Sequence, residues 1–457
     1  MAKLEHRILE KLDEWTAAGL ISPDQAAAIR ASEPAPKSTT PWGIMIFAGF
    51  GAVVLGLGVI LLFAYNWDQM HKFGKLAVVF GALAVAHGTG IILRRKNQPS
   101  GFADAAFLLG TMLFGAGIWL VAQIYHISAH YPNAFVVWAV GALLLAWLLP
   151  SVAQGLLAAV LISVWACCEA ASYGSHPMVA PLLVLAGTGW LAWRMRSPVL
   201  LAVAAVSFVV SMAVGLAFNS ECVMAVLLGT ALLLGSAAWL AGDCASFPAA
   251  ARILQATGTI LYLPLLFILT FHDAARSLLM DRYDWRQQPP LGEWLPLVIL
   301  MLAVVGLTAV ACYRAVVARR FTTPEFRSQL LAPALIFTGY LTAWWWPTIL
   351  PHESFVTYLP GAASMLCAAA NAIFIYHILG NLWAGCRSAR LRQVVGGSLL
   401  LAVWIFARFA DLFDSLLVRG TMFMVMGAGL FAVAMIYHRN KKHALATTIT
   451  PNPGMEN

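Results

Sequence analysis

From Pro41 onward the chain is a succession of apolar stretches, each roughly 17 to 22 residues long, separated by short segments that hold most of its charges. A helix of that length just crosses a hydrocarbon layer ~30 Å thick. Fourteen such stretches occur, at about 43–64, 74–93, 103–124, 134–150, 152–171, 178–194, 199–218, 223–241, 254–271, 294–312, 329–347, 357–378, 394–414 and 418–437. Runs this long and unalternating satisfy their backbone in lipid only as helices. The predicted fold is therefore all-α, a polytopic transmembrane helical bundle of about 14 spans. Composition agrees: at 61% hydrophobic and 11% charged, a water-soluble core would leave large apolar patches outside.

Before the first stretch, Leu4, Ile8, Leu12 and Trp15 recur at helical spacing, and Gly19 ends that stripe. Ser22, Pro23 and Gln25 then supply an N-cap, a first-turn proline and a capping-box partner for a second short helix. Residues 1–33 thus read as a cytoplasmic helical hairpin, 34–42 as a proline-bearing linker, 43–437 as the membrane domain and 438–457 as a basic cytoplasmic tail. A hairpin this small buries little by itself, so it is expected to dock on a protein partner, a second copy or the membrane domain. The first forty residues lack the pattern of a cleavable signal, and the first span is expected to act as the insertion signal.

The basic residues orient the bundle. With the N-terminus inside, 13 Lys and Arg fall in inner loops, 8 in the two tails and 7 on the outer side. Arg194 and Arg196, Arg314 to Arg327, and Arg387, Arg390 and Arg392 form inner clusters that an odd number of spans would split. Both termini are expected in the cytoplasm. The net charge of +8 lacks the clustered basic face and interleaved aromatics of a nucleic-acid binder, so the expected partner is the lipid bilayer.

Arg408 lies inside an otherwise apolar run, where a charge costs roughly 2.5 to 3.5 kcal/mol and calls for a partner or a function. Asp411 and Asp414 follow at three-residue steps on nearly one helical side. Asn66, Trp67 and Asp68 end the first span; Gln123, Tyr125 and His126 end the third; Glu169 nears the end of the fifth. All are expected to emerge on the outer face, where Arg408 would pair with Asp411, Asp68 or Glu169. His126 and His130 have the four-residue spacing of two helical metal ligands, but the segment reads more readily as a solvated loop. No metal site or cofactor is expected, and the seven cysteines, with no two-residue gap between any pair, read as packing residues.

Gly51, Gly56 and Gly58 recur 59 residues later as Gly110, Gly115 and Gly117, which suggests a duplicated helical hairpin. His87 beside Gly88 and Gly90 reads as a packing histidine.

With these residues in view, the sequence resembles a family of bacterial predicted membrane proteins classed only as a domain of unknown function. The likeness rests on Ala18-Gly19-Leu20-Ile21-Ser22, on Tyr65-Asn66-Trp67-Asp68 and on Gln123-Ile124-Tyr125-His126, over roughly residues 1 to 150; Arg408-Phe409 with Arg419-Gly420 extends it more loosely. The resemblance implies a bacterial cytoplasmic (inner) membrane location and carries no reaction. Phosphate-loop, zinc-protease and nucleophile-elbow motifs are missing from the sequence. The leading expectation is a permease or flippase-like transporter with a polar vestibule on the periplasmic face, acting on a small solute or lipid-linked substrate. The alternatives are a membrane-embedded envelope enzyme and a non-catalytic scaffold or sensor.

Overall fold

The computed structural model describes residues 15–26 except 17, single positions between 47 and 58, and residues 71–412 apart from 97–99, 128–129, 176, 217–219, 281–290, 346–351 and 389, with single positions from 424 to 436. Every regular element among the described residues is helical. The chain divides into two compact units, Met1–His126 and Ile127–Asn457.

The first unit holds α1 (Lys72–Arg95) and α2 (Ser100–Ile124). The second holds α3 (Asn133–Leu148), α4 (Val152–Tyr173), α5 (residues 180–195), α6 (Pro198–Leu216), α7 (Ser220–Gly242), α8 (Pro248–Leu269), α9 (His272–Met280), α10 (Leu291–Val317), α11 (residues 324–345), α12 (His352–Arg387) and α13 (Leu391–Leu412). Nine helices among the described residues are long and apolar enough to span a membrane, and α3 is a shorter apolar one. Two more, α5 and α11, contain π turns at Val184–Gly189 and Arg327–Leu331. A π turn inserts an extra residue and loosens the main-chain ladder. In α5 the Trp147 indole N–H donates to the Gly187 carbonyl at 3.1 Å. The first and last apolar stretches of the sequence lie mostly outside the described residues.

The N-terminal signals behave locally as expected. Gly19 has φ +69°, and the amides of Gly19 and Leu20 donate to the carbonyls of Thr16 and Trp15, the pattern that closes a helix C-terminus. Ser22 and Gln25 then exchange the two side-chain-to-amide bonds of a capping box at 3.0 and 3.2 Å.

Helix α10 displays the logic of a lipid-bathed bundle. Leu300, Val304, Ala311 and Ala315 are buried along one side, while Val298, Leu302, Val305, Tyr313 and Val316 stay exposed along the other. In water that exposed stripe would be costly; in lipid it is solvated. Lipid tails are as apolar as leucine, so close packing rather than expulsion from water must hold such helices together. Small residues supply it where α7 and α8 cross. A Cβ added to Gly258 would meet the Ala231 carbonyl at 3.3 Å, and one at Gly235 would meet the Gln329 carbonyl of α11 at 3.2 Å. Helix α7 is the central element, with 67% of its apolar span buried.

In the first unit the His87 ring is seated over Gly110, and Phe107 over Gly90. His87 is thus a packing histidine. Gly110 and Gly117 are sites of close approach, while the first half of the suggested duplication lies mostly outside the described residues.

Candidate functional site

Arg408, on α13, is 5% exposed. Its Nη2 donates to the main-chain carbonyl of Thr270, and its guanidinium lies 4.6 Å from the centre of the Phe271 ring. Thr270 is the C-terminal cap of α8. A cation at a helix C-terminus meets the negative end of the peptide dipoles, worth up to ~2 kcal/mol in a partly buried setting. The same carbonyl accepts from Asn371 Nδ2 at 2.9 Å and from Cys367 Sγ at 3.0 Å, both on α12. Asn371 Oδ1 accepts in turn from the Trp404 indole of α13 at 3.1 Å. One carbonyl therefore ties α8, α12 and α13 together.

Glu169 belongs to another cluster. It is 6% exposed at the end of α4 and accepts from Trp165 Nε1 at 3.1 Å and from Ser175 Oγ at 2.6 Å. His130 Nε2 sits 2.8 Å from both carboxylate oxygens, with its ring 3.8 Å from that of Tyr173. The expected pairing of Glu169 with Arg408 does not form: the carboxylate is satisfied locally, and the two clusters share no residue. Gln123, Tyr125 and His126 are exposed at the end of the first unit. His126 has φ +51° and lies past the end of α2, so it shares no helical face with His130 and the two-ligand spacing loses its geometric basis. Asn66, Trp67, Asp68 and Asp414 lie outside the described residues, as does the side chain of Asp411. Among the described residues no three His, Cys, Asp or Glu side chains converge as metal ligands.

Sequence reasoning missed a cavity of about 1110 Å³ at the other end of the second unit. Its walls come from α7, α8, the π turn of α11, the last turns of α12 and the start of α13. Three arginines line it, Arg327, Arg387 and Arg390, against one carboxylate, Glu325. None of these four forms an ion pair among the described residues. Arg387 lies 5.2 Å from the centre of the Trp383 ring, which holds the guanidinium beside the mouth. Deeper in, Tyr262 and His377 pack edge to face at 5.6 Å. They are 4% and 9% exposed, and neither the Tyr262 hydroxyl nor His377 Nε2 has a hydrogen-bond partner among the described residues. A buried polar group left in that condition costs about 1 to 3 kcal/mol. Gln255, Thr259 and Asn381 add further polar atoms to the lining.

Between cavity and clamp, Leu266 and Leu269 of α8 and Ala370 and Phe374 of α12 are at most 2% exposed. That layer is a dry plug. Pro264 stands on α8 at the border between cavity and plug, removing one main-chain hydrogen bond from the helix there.

Residues 13–155 match a family described as Predicted membrane protein (DUF2157). The DUF2157 segment covers α1, α2, α3 and the first residues of α4. It includes His130 but stops short of Glu169, of the Arg408 clamp and of the cavity. No curated protein and no solved structure matches the chain.

Proposed function

We propose that this membrane protein is a permease-like carrier whose solute path is the cavity of the second unit. The observation that carries this reading is the arrangement along α8 and α12: an open cavity with arginines and other polar groups in its wall at one end, a dry apolar plug in the middle and a hydrogen-bonded clamp at the other. A carrier that exposes its site to one side at a time needs those three parts in series. The proline in α8 at the cavity border gives the helix a point at which to bend. The distribution of Lys and Arg supports a cytoplasmic placement of the cavity end and of both termini in a bacterial inner membrane. On that reading the cavity faces inward and the Arg408 clamp is the closed outer gate. Arg408 then belongs to the gate rather than to a standing vestibule, and Glu169 to its own cluster at the end of α4. An enzymatic reading has less support, because no cavity hydroxyl among the described residues hydrogen-bonds to His377 or to the Glu325 carboxylate.

The test is sidedness of labelling. In spheroplasts, Thr259→Cys should react with a membrane-impermeant maleimide only once the cytoplasmic side is opened, with the unsubstituted protein as blank. Adding Asn371→Ala, which removes one clamp donor, should let the reagent in from the outer side. Labelling of Thr259→Cys that stays one-sided in the Asn371→Ala background, or that never occurs, would defeat the carrier reading.

A further inference from the structure

We infer that the cavity binds a phosphate-type anion, with an apolar portion of the same ligand resting against the exposed side chains at its mouth. The inference rests on the carrier reading in that it names what would occupy the same cavity. Arg327, Arg387 and Arg390 reach it from three different segments, the π turn of α11, the end of α12 and the turn before α13. Their charge is unmatched by the single Glu325, and planar guanidinium forks suit the tetrahedral oxygens of phosphate. A carboxylate offers its two oxygens in one plane, whereas a phosphate sets its oxygens tetrahedrally toward guanidinium groups arriving from three segments, so phosphate is the better fit.

The deeper groups point the same way. The Tyr262 hydroxyl is a donor, and His377 Nε2 is a donor in one tautomer; both residues are more than nine-tenths buried and belong to the cavity wall, and these two atoms, closed off just behind its surface, lack a partner among the described residues. Polar atoms left in this state inside a bundle are explained when a ligand completes them. The mouth is edged by Tyr376, Leu379 and Trp383, which are 40%, 59% and 58% exposed on the outward face of α12. A volume of about 1110 Å³ exceeds what an inorganic phosphate needs and suits a headgroup with the first part of a chain. The shared chemistry is a phosphate oxygen cluster, which either an anionic lipid or a free phosphate could present.

The experiment measures thermal unfolding of the full-length protein purified in neutral detergent, with intrinsic tryptophan fluorescence as readout. Mixed micelles containing phosphatidylglycerol should raise the midpoint by several degrees, whereas phosphatidylcholine micelles and sodium chloride at equal ionic strength should not. The double variant Arg387→Gln, Arg390→Gln should weaken the phosphatidylglycerol response at least tenfold in lipid concentration. Arg314→Gln, outside the cavity, should leave it intact. Tyr262→Phe, which keeps the ring in place, should also weaken the response and guards against misfolding of the arginine variants. Equal stabilisation by inorganic phosphate alone would uphold the anion site and overturn its apolar part. No response to either probe, or a response indifferent to all cavity variants, would overturn the inference. Binding in micelles requires no alternation, and maleimide labelling requires no ligand, so this inference and the carrier reading can fail separately.

Discussion

The two ends of the second unit differ in how their polar groups are partnered. At the Arg408 end, three donors from two helices crowd onto one carbonyl of a third, and Asn371 gives both its amide nitrogen and its oxygen to protein partners. At the cavity end, carried by the same α8 and α12, the Tyr262 hydroxyl and His377 Nε2 lack a described partner, and three guanidinium groups make no described ion pair. Groups satisfied by the chain itself hold the fold in place. Tyr262 and His377, buried and unsatisfied, are where a ligand can gain most, because their desolvation has already been met by folding, whereas the exposed arginines supply charge at the mouth.

Substitutions should therefore differ in sign as well as size between the two ends. The largest effect is expected for Arg408→Ala, which removes a charged hydrogen bond and a cation–aromatic contact worth roughly 3 kcal/mol together. A thermal midpoint in detergent unchanged from the unsubstituted protein would erase the contrast. Next comes Gly258→Leu, which drives a side chain against the Ala231 carbonyl and Leu234 and should cost about 2 kcal/mol in the same assay. Tyr262→Phe should be neutral or stabilise the empty protein by up to ~1 kcal/mol, since it deletes an unpartnered hydroxyl. A loss of stability there would mean that the hydroxyl is a structural bond after all.

The smallest effect is chemical. Cys244 lies in the turn between α7 and α8, outside the spans, and hydrogen bonding from the Ser246 hydroxyl, then from the Ser246 amide, holds its thiol below the usual range. The thiolate is present above that lowered pKa and is lost only as pH falls through it. Maleimide labelling of Cys244 should thus persist to lower pH than labelling of a free cysteine, and in intact cells it should require a membrane-permeant reagent. Reaction with an impermeant reagent from outside would invert the assigned orientation.

Much of this architecture was legible in the residues. Twelve of the fourteen apolar stretches coincide with described helices, because hydropathy and helix length are fixed by the same hydrocarbon thickness. Ser22 and Gln25 form the capping box that their spacing announced. Helix ends were less visible: the stretch at 357–378 is the middle of α12, which runs on through Asn381 to Arg387 after its apolar signal fades. The π turns of α5 and α11 leave no trace in hydropathy.

The burial of Arg408 was legible from its apolar neighbours, but its acceptor was not. A main-chain carbonyl such as that of Thr270, 138 residues away, has no side-chain signature. The cavity escaped for a related reason. Tyr262 and His377 are 115 positions apart in the chain and meet only through helix packing, while the spacing of Arg387 and Arg390 speaks in sequence only to orientation.

Helix α12 is 36 residues long, which at 1.5 Å per residue makes a rod of ~54 Å. That is nearly twice the ~30 Å of a hydrocarbon layer, so the rod must lean, or stand proud of one leaflet. On the proposed orientation its last turns, with Trp383 and Arg387, sit at the depth where headgroups lie. An anionic lipid would need no aqueous journey to find this opening, only lateral diffusion within its own leaflet.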